Sequence, residues 1–366
     1  MELQQDLTGT FRALLQFDVA EGIDLAALHI IFGTSPSRRE PAFRHPAPEY
    51  VRFERPPVVE NVGMRQITGA QILEARIRYF DYGVASVELR MPFRASWEEL
   101  VTLANRWIMS PQLESCASDL LRESLKRTGA ALKNAYPNWI SEDYYIVALD
   151  PIPGNGGTVP ADVLLRERGA AIAQIVRGED MPLSTSERQG VLQSSMSYHP
   201  TDLLVVGWVA AFIYDDPIDA EPTVDLLEYA NTQLLEFRYY DDVLTGVLAD
   251  VYKRLERKHS MWARWRLARQ AESLNTIRLD YQELAERTDN AIKFLSDMFY
   301  ARAYRLAAAR IGVSDYRKLV TDKLTIARDL YESLVNEFHQ GRAFFLEVMV
   351  VIILLIEIVF LFRGKG

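Results

Sequence analysis

Apolar and polar positions change rhythm along this chain near Ala220. Before that point short alternating stretches are interleaved with helical spacing. Phe11–Val19 reads as a strand and Ile23–Phe32 as a helix. Arg38–Pro57, with five prolines, reads as a loop. Ile72–Phe80 and Val84–Met91 are rich in β-branched and aromatic residues. With Asp81-Tyr82-Gly83 between them they predict a β-hairpin. Ser96-Trp97-Glu98-Glu99 is a capping box that opens a helix to about Met109, and a second helix follows Pro111. Asp143–Leu149 reads as a strand and Ala161–Arg177 as a helix. Ser194–Tyr198 and Leu203–Tyr214, turning at His199-Pro200, read as a second hairpin. The two series of strand, helix and hairpin suggest a duplicated α+β unit.

After Ala220 the breakers vanish. All 16 prolines lie at or before Pro222, and Gly246, Gly312 and Gly341 are the only glycines from Thr223 to Phe362. Such a stretch predicts long helices, starting at Pro222-Thr223-Val224-Asp225, where proline and an early acid suit a first turn. Leu274, Ile277, Tyr281, Leu284, Thr288, Ala291, Leu295 and Met298 repeat with heptad spacing. A second seam runs through Tyr316, Val320, Leu324, Ala327, Tyr331, Leu334 and Phe338, with Gly312 between the two. The pattern predicts an antiparallel, coiled-coil-like helical hairpin, packed on its own domain or joining protomers.

The second seam leads into Phe344–Phe362, in which 16 of 19 residues are Leu, Ile, Val or Phe. As a helix this run spans roughly 28 Å, close to a hydrocarbon core of about 30 Å. Its apolar residues contribute about −4 to −7 kcal/mol to insertion, against about 2–3 kcal/mol for Glu357 and less for Glu347 near the edge. The expectation is one C-terminal transmembrane helix. Met1–Asp6 carries no basic segment followed by an apolar one, so no secretory signal is expected. The single cysteine, Cys116, fits a reducing compartment. Together these predict a tail-anchored protein of the inner, cytoplasmic membrane, single-pass, with its body facing the cytoplasm. The partition is 1–220 for the α+β domain, 221–343 for the helical arm, 344–362 for the membrane helix and 363–366 for a short tail. Glu347 and Glu357 lie on one half of that helix, and Glu357 is the candidate contact with a membrane-protein partner.

Composition is that of an ordinary globular protein, and the net charge of −9 argues against a general affinity for nucleic acid. One basic island stands out. Lys253, Arg254, Arg257, Lys258, Arg264, Arg266 and Arg269 are interleaved with Trp262 and Trp265. Such residues either form a solvated helix face or meet an anionic surface, a headgroup layer or RNA. Catalytic signatures are missing from the sequence. His29, His45, His199, His259 and His339 have no metal-ligand spacing, and no cofactor is expected. Gly154-Asn155-Gly156-Gly157-Thr158 lacks the lysine of a phosphate-binding loop. Asp215, Asp216, Asp219 and Glu221 form an acidic cluster that reads as a linker rather than an ion site.

The segment Leu226–Asp241 (Leu226-Leu227-Glu228-Tyr229-Ala230-Asn231 onward), together with Arg342-Ala343-Phe344-Phe345-Leu346-Glu347 and the later Glu357-Ile358, resembles the uncharacterised family typified by the "required for meiotic nuclear division" proteins. Tyr79–Val84 resembles its core strands. The resemblance implies an α/β body, a helical hairpin and a C-terminal membrane helix in a non-catalytic, oligomeric protein. The reading is a membrane scaffold or assembly protein, oligomerising through Leu274, Ile277, Tyr281, Leu284, Leu295, Met298, Tyr331, Leu334 and Phe338. The alternatives are an RNA- or ribosome-tethering adaptor using the basic island, and an enzyme of unknown substrate in the α+β body.

Overall fold

A computed structural model describes residues 6–34, 56–67, 71–154, 157–255, 277–279, 281–283, 285–286 and 298–363. The chain divides into two units. The first comprises Met1–Tyr239 with Arg287–Tyr316, the second Tyr240–Glu286 with Arg317–Gly366.

The first unit is built on a mixed sheet. In chain order come β1 (Leu7–Ile23), α1 (Leu25–Phe32), β2 (Val58–Ile67), β3 (Gln71–Tyr79), β4 (Val84–Ala95), α2 (Trp97–Trp107) and α3 (Pro111–Thr128). Then follow β5 (Leu132–Leu149), the small ribbon β6 (Pro153–Gly154) and β7 (Gly157–Thr158), α4 (Ala161–Arg177), α5 (Thr185–Leu192), β8 (Ser195–Met196), β9 (Leu203–Val206) and β10 (Ala210–Tyr214). The helices after them are α6 (Pro217–Leu255), α7 (Met298–Ile311) and α8 (Val313–Arg363).

The eight-stranded sheet has the order β2-β3-β4-β1-β5-β10-β9-β8. In each half, one long strand pairs with the last of three later strands. The two halves are not copies, because β4 runs antiparallel to β1 whereas β10 runs parallel to β5. Local chemistry places the connections. Asp24 caps α1 by accepting from the backbone N–H groups of Ala26 and Ala27 at 3.0 and 3.1 Å. Ser96 and Glu99 close the expected capping box on α2. Gly83 turns β3 into β4 at φ 102°, where a Cβ would sit 1.8 Å from the Ala20 carbonyl oxygen, so no side chain fits.

Because side chains alternate across a strand, the sheet presents two unlike faces. Phe11, Ala13, Leu15, Phe17 and Val19 of β1 point to one face with Leu73, Ala75, Ile77 and Tyr79 of β3 and Ala85, Val87, Leu89 and Met91 of β4. They form the main core with Leu100, Ala104 and Trp107 of α2, Leu113, Ala117 and Leu121 of α3, and Leu164, Ile172 and Val176 of α4. Burial of this apolar surface is the main force holding the unit together. The opposite face carries Arg12, Gln16 and Asp18, and it is covered by α6.

The described residues of the second unit are helical. Tyr281 is 7% exposed, its hydroxyl 2.8 Å from Thr321 Oγ1 and 3.3 Å from the Arg317 carbonyl oxygen, and its ring meets Tyr240 edge-on. Lys323 pairs with Asp241 at 2.5 Å and donates to Thr245 at 2.6 Å.

Two expectations change here. Helix α6 runs continuously through Ala220 from Pro217, with Asp216 Oδ1 accepting from the Ile218 N–H at 3.0 Å at its start. Pro222 sits inside the helix rather than at its first turn. More importantly, among the described residues no helix is long and apolar enough to cross a membrane. The apolar run whose side chains are described, Val348–Ile356, spans about 13 Å, under half of a hydrocarbon core. Glu347, at its start, is exposed. The expected transmembrane helix at 344–362 is therefore overturned. With it go the tail anchor and the single-pass placement in an inner membrane.

Candidate functional site

The polar face of the sheet is organised in cross-strand rows. Arg78 of β3, Ser86 of β4 and Gln16 of β1 stand side by side. The next row is Arg76, Glu88 and Leu14, and the one after is Glu74, Arg90 and Arg12. Neighbouring side chains on one face of a sheet lie within reach of each other, and here arginines of β1, β3 and β4 gather around Glu88. Glu88 is fully buried at the centre. Its carboxylate accepts from Arg12 Nη1 at 3.3 Å, from Arg90 Nε at 2.8 Å and from Arg76 Nε.

Helix α6 closes this layer from above with three acids, Glu221, Asp225 and Glu228, spaced four and three residues apart on one side of the helix. Glu221 takes Arg12 Nη2 at 2.6 Å, Arg90 Nη2 at 3.3 Å and Arg76 Nη2 at 3.6 Å. Arg78 Nη1 donates to Asp225 at 2.5 Å and to Glu228. Gln16 Nε2 donates to the Glu228 backbone carbonyl at 3.0 Å, fixing the helix along the strand direction. Four guanidiniums thus meet four carboxylates.

The electrostatics follow from this geometry. Burial by itself would raise the Glu88 carboxyl, but Arg76, Arg90, Arg78 and Arg12 outweigh it and hold Glu88 below its ordinary value. Burial opposes the Glu221 carboxylate as well, yet the hydrogen bond and charge of Arg12, with Arg90 and Arg76, bring it down to about 2. Burial disfavours the Arg78 charge, and Glu228 and Asp225 more than restore it. Burial raises the Glu228 carboxyl, with Arg78 acting against it, and burial lowers Arg76, with Glu88 acting against that. The arrangement can clamp a helix to a sheet. It holds no activated nucleophile, and among the described residues no group of three or more His, Cys, Asp or Glu side chains could hold a metal ion.

A smaller polar cluster lies on the opposite face. Glu60 of β2 accepts from the Tyr79 hydroxyl at 2.9 Å, from Ser124 and from Arg127.

The family described as "Uncharacterized protein MJ0711, N-terminal domain" matches residues 8–220, from the first strand into the start of α6. The chain belongs to this family. The curated "Uncharacterized protein MJ0711" of Methanocaldococcus jannaschii is 22% identical over 198 residues, covering 54% of this chain and 61% of that protein. The chain thus spans about 61% of the length of this relative. No solved structure matches the chain. Within this uncharacterised family, the sheet side of the charge layer lies inside the matched region. Glu221, Asp225 and Glu228 lie just beyond it.

The residues singled out from sequence are placed as follows. Lys253 is exposed on α6. Arg254 is on the same helix, its side chain outside the described residues, and Arg257, Lys258, Arg264, Arg266 and Arg269 lie outside them altogether. Of the seam, Ile277 is half-buried, Tyr281 packs within the second unit, and Met298 is 79% exposed on α7. Leu274, Leu284 and Leu295 lie outside the described residues, as do the side chains of Tyr331, Leu334, Phe338 and Glu357 on α8. Glu221, read from the sequence as part of an acidic linker, lies in α6 and enters the charge layer. The signal that could have found it is the run of charges at alternate positions of β3 and β4 together with the spaced acids of α6.

Proposed function

We propose that this protein is a non-catalytic assembly scaffold whose copies associate through the C-terminal half of α8. One observation carries the reading. Val348 to Ile356 is an unbroken apolar stretch in a continuous helix, and its large side chains are each 36–55% exposed. Nine successive residues at 100° apart turn through more than two full circles, so the helix is apolar on every side rather than along one stripe. A contiguous exposed patch of this kind marks an interaction surface. A single partner helix covers only one side. An all-round apolar helix is covered by several neighbours, which favours an assembly of three or more copies over a dimer. The charge layer supports the non-catalytic part of the reading, because its groups neutralise one another. The resemblance to the "required for meiotic nuclear division" proteins belongs to the same reading, as a family of non-catalytic, oligomeric proteins.

The test is the mass of the full chain in solution, measured by light scattering across a concentration series. The wild type is expected as a trimer or larger. Replacing Val350, Ile353 and Leu354 together with Glu is expected to give a folded monomer. A wild type that stays monomeric throughout, or a variant of unchanged mass, overturns the reading.

A further inference from the structure

Asp18 continues the polar face of β1 beyond Arg12 and Gln16, and its surroundings are the reverse of theirs. It is 2% exposed, opposite Val84 on β4 and Ile140 on β5. Its backbone is paired in the ladders on both sides, and among the described residues burial is the one influence acting on its carboxyl. The ladder between β1 and β5 loses register immediately after it, between Asp18 and Ala20. A bulge of this kind leaves backbone without its ladder partner and twists the strand locally.

Asp18 acts on Tyr136 of β5 and Tyr239 of α6; Glu236 of α6 acts on both tyrosines and Glu21 of β1 on Tyr239, while Glu142 of β5 meets Arg238 of α6. The one cation among these, Arg238, is engaged by Glu142. Glu236 is 6% exposed. The Tyr136 and Tyr239 rings stack with centroids 5.4 Å apart and half-buried, joining β5 to α6 beside Asp18. The charge of Asp18 acts on both tyrosines. A buried carboxylate here has two phenols tied to it and, among the described residues, nothing but burial acting on it.

We propose that Asp18 is a proton-operated latch: protonated, it stays buried beside the Tyr136–Tyr239 pair and lets α6 close on β1 and β5; ionised, it draws water into this end of the interface and loosens it. Burial pushes the Asp18 carboxyl up to about 7, which sets the latch near neutrality. The sign follows from linkage. The carboxyl is raised above its unfolded value of about 3.9, so its contribution to the closed contact is fully present below about pH 4. That contribution is lost as pH rises towards 7 and levels off above it.

Hydrogen exchange of the full chain, corrected for the intrinsic pH dependence of the amide rate, reads this directly. Protection of the segments covering residues 132–142 and 230–239 is expected to fall about tenfold or more between pH 5 and pH 8. In Asp18→Asn, protection in those segments is expected to be independent of pH. A flat profile in the wild type overturns the proposal, as does a decline of equal size in Asp18→Asn. If Asp18→Asn does not fold, the wild-type profile decides, read together with the infrared band of a protonated carboxyl. That band is expected to disappear as pH rises through neutrality, and a band already missing at pH 5 overturns the proposal.

Discussion

The two faces of the central sheet are made from the same strands, residue by residue, yet they are held by different forces. Leu15, Ile77, Val87 and Leu89 serve a face whose partners need only match in volume. Arg12, Arg76, Arg78, Glu88 and Arg90 serve a face whose partner must match in charge and position. Dispersion and burial tolerate a sliding neighbour, because one apolar contact replaces another. A guanidinium under a low-dielectric lid does not, because a helix displaced by one residue leaves it unpaired and buried. The apolar face supplies most of the stability. The charged face dictates which side of α6 docks and at what register.

The largest way to test that contrast is to remove the shared acid. Glu88→Ala leaves Arg76, Arg90 and Arg12 without their common partner. It is expected to cost about 3–5 kcal/mol in urea unfolding, since uncompensated buried charge is the severe case. Glu88→Gln keeps the shape. If it proves nearly harmless, packing rather than charge holds this face, and the contrast collapses. On the other side, Ile77→Val removes one methylene from a fully buried position. It is expected to cost about 1 kcal/mol by the same measurement. A loss as large as that of Glu88→Ala would mean that both faces are equally unforgiving.

The smallest effect is expected at the rim. Glu221 is about a third exposed, so solvent screening reduces its share, and Glu221→Gln is expected to cost under about 1 kcal/mol at neutral pH. Its carboxyl lies at about 2 when folded, below an unfolded value of about 4.3. The stability that it contributes is therefore present above about pH 4.5 and lost as the pH falls towards 2. Unfolding curves for wild type and Glu221→Gln are expected to converge over that range.

Much of the fold was legible because local chemistry agreed with it. Ala161–Arg177 is the helix expected, Ser96 and Glu99 make their capping box, and Asp81-Tyr82-Gly83 turns β3 into β4. The strand β2 was not legible. Gly63, at φ 85°, accompanies a register shift that breaks its alternation, and the strand is at the edge of the sheet. Leu203–Tyr214, expected as one strand, is two, because Gly207 turns back under Val176 with no room for a side chain. The charge layer was hidden for another reason. Alternating arginine and apolar residues read as a strand with one face in water, and only the tertiary position of α6 shows that face to be covered. The apolar run near the C-terminus was read by length and hydropathy alone, and the described part of it falls short of a span.

The pairing of Arg12 with Glu221 joins residues 209 apart, and the strand that carries Arg12 precedes the other strands of its sheet along the chain. Its neighbours β4 and β5 come much later, and the helix that covers its charged side later still. Contacts so distant along the chain close slowly. During that interval the half-built sheet shows water a row of arginines rather than a greasy plane. The charges that orient the finished helix therefore also keep the unfinished protein from sticking to its neighbours.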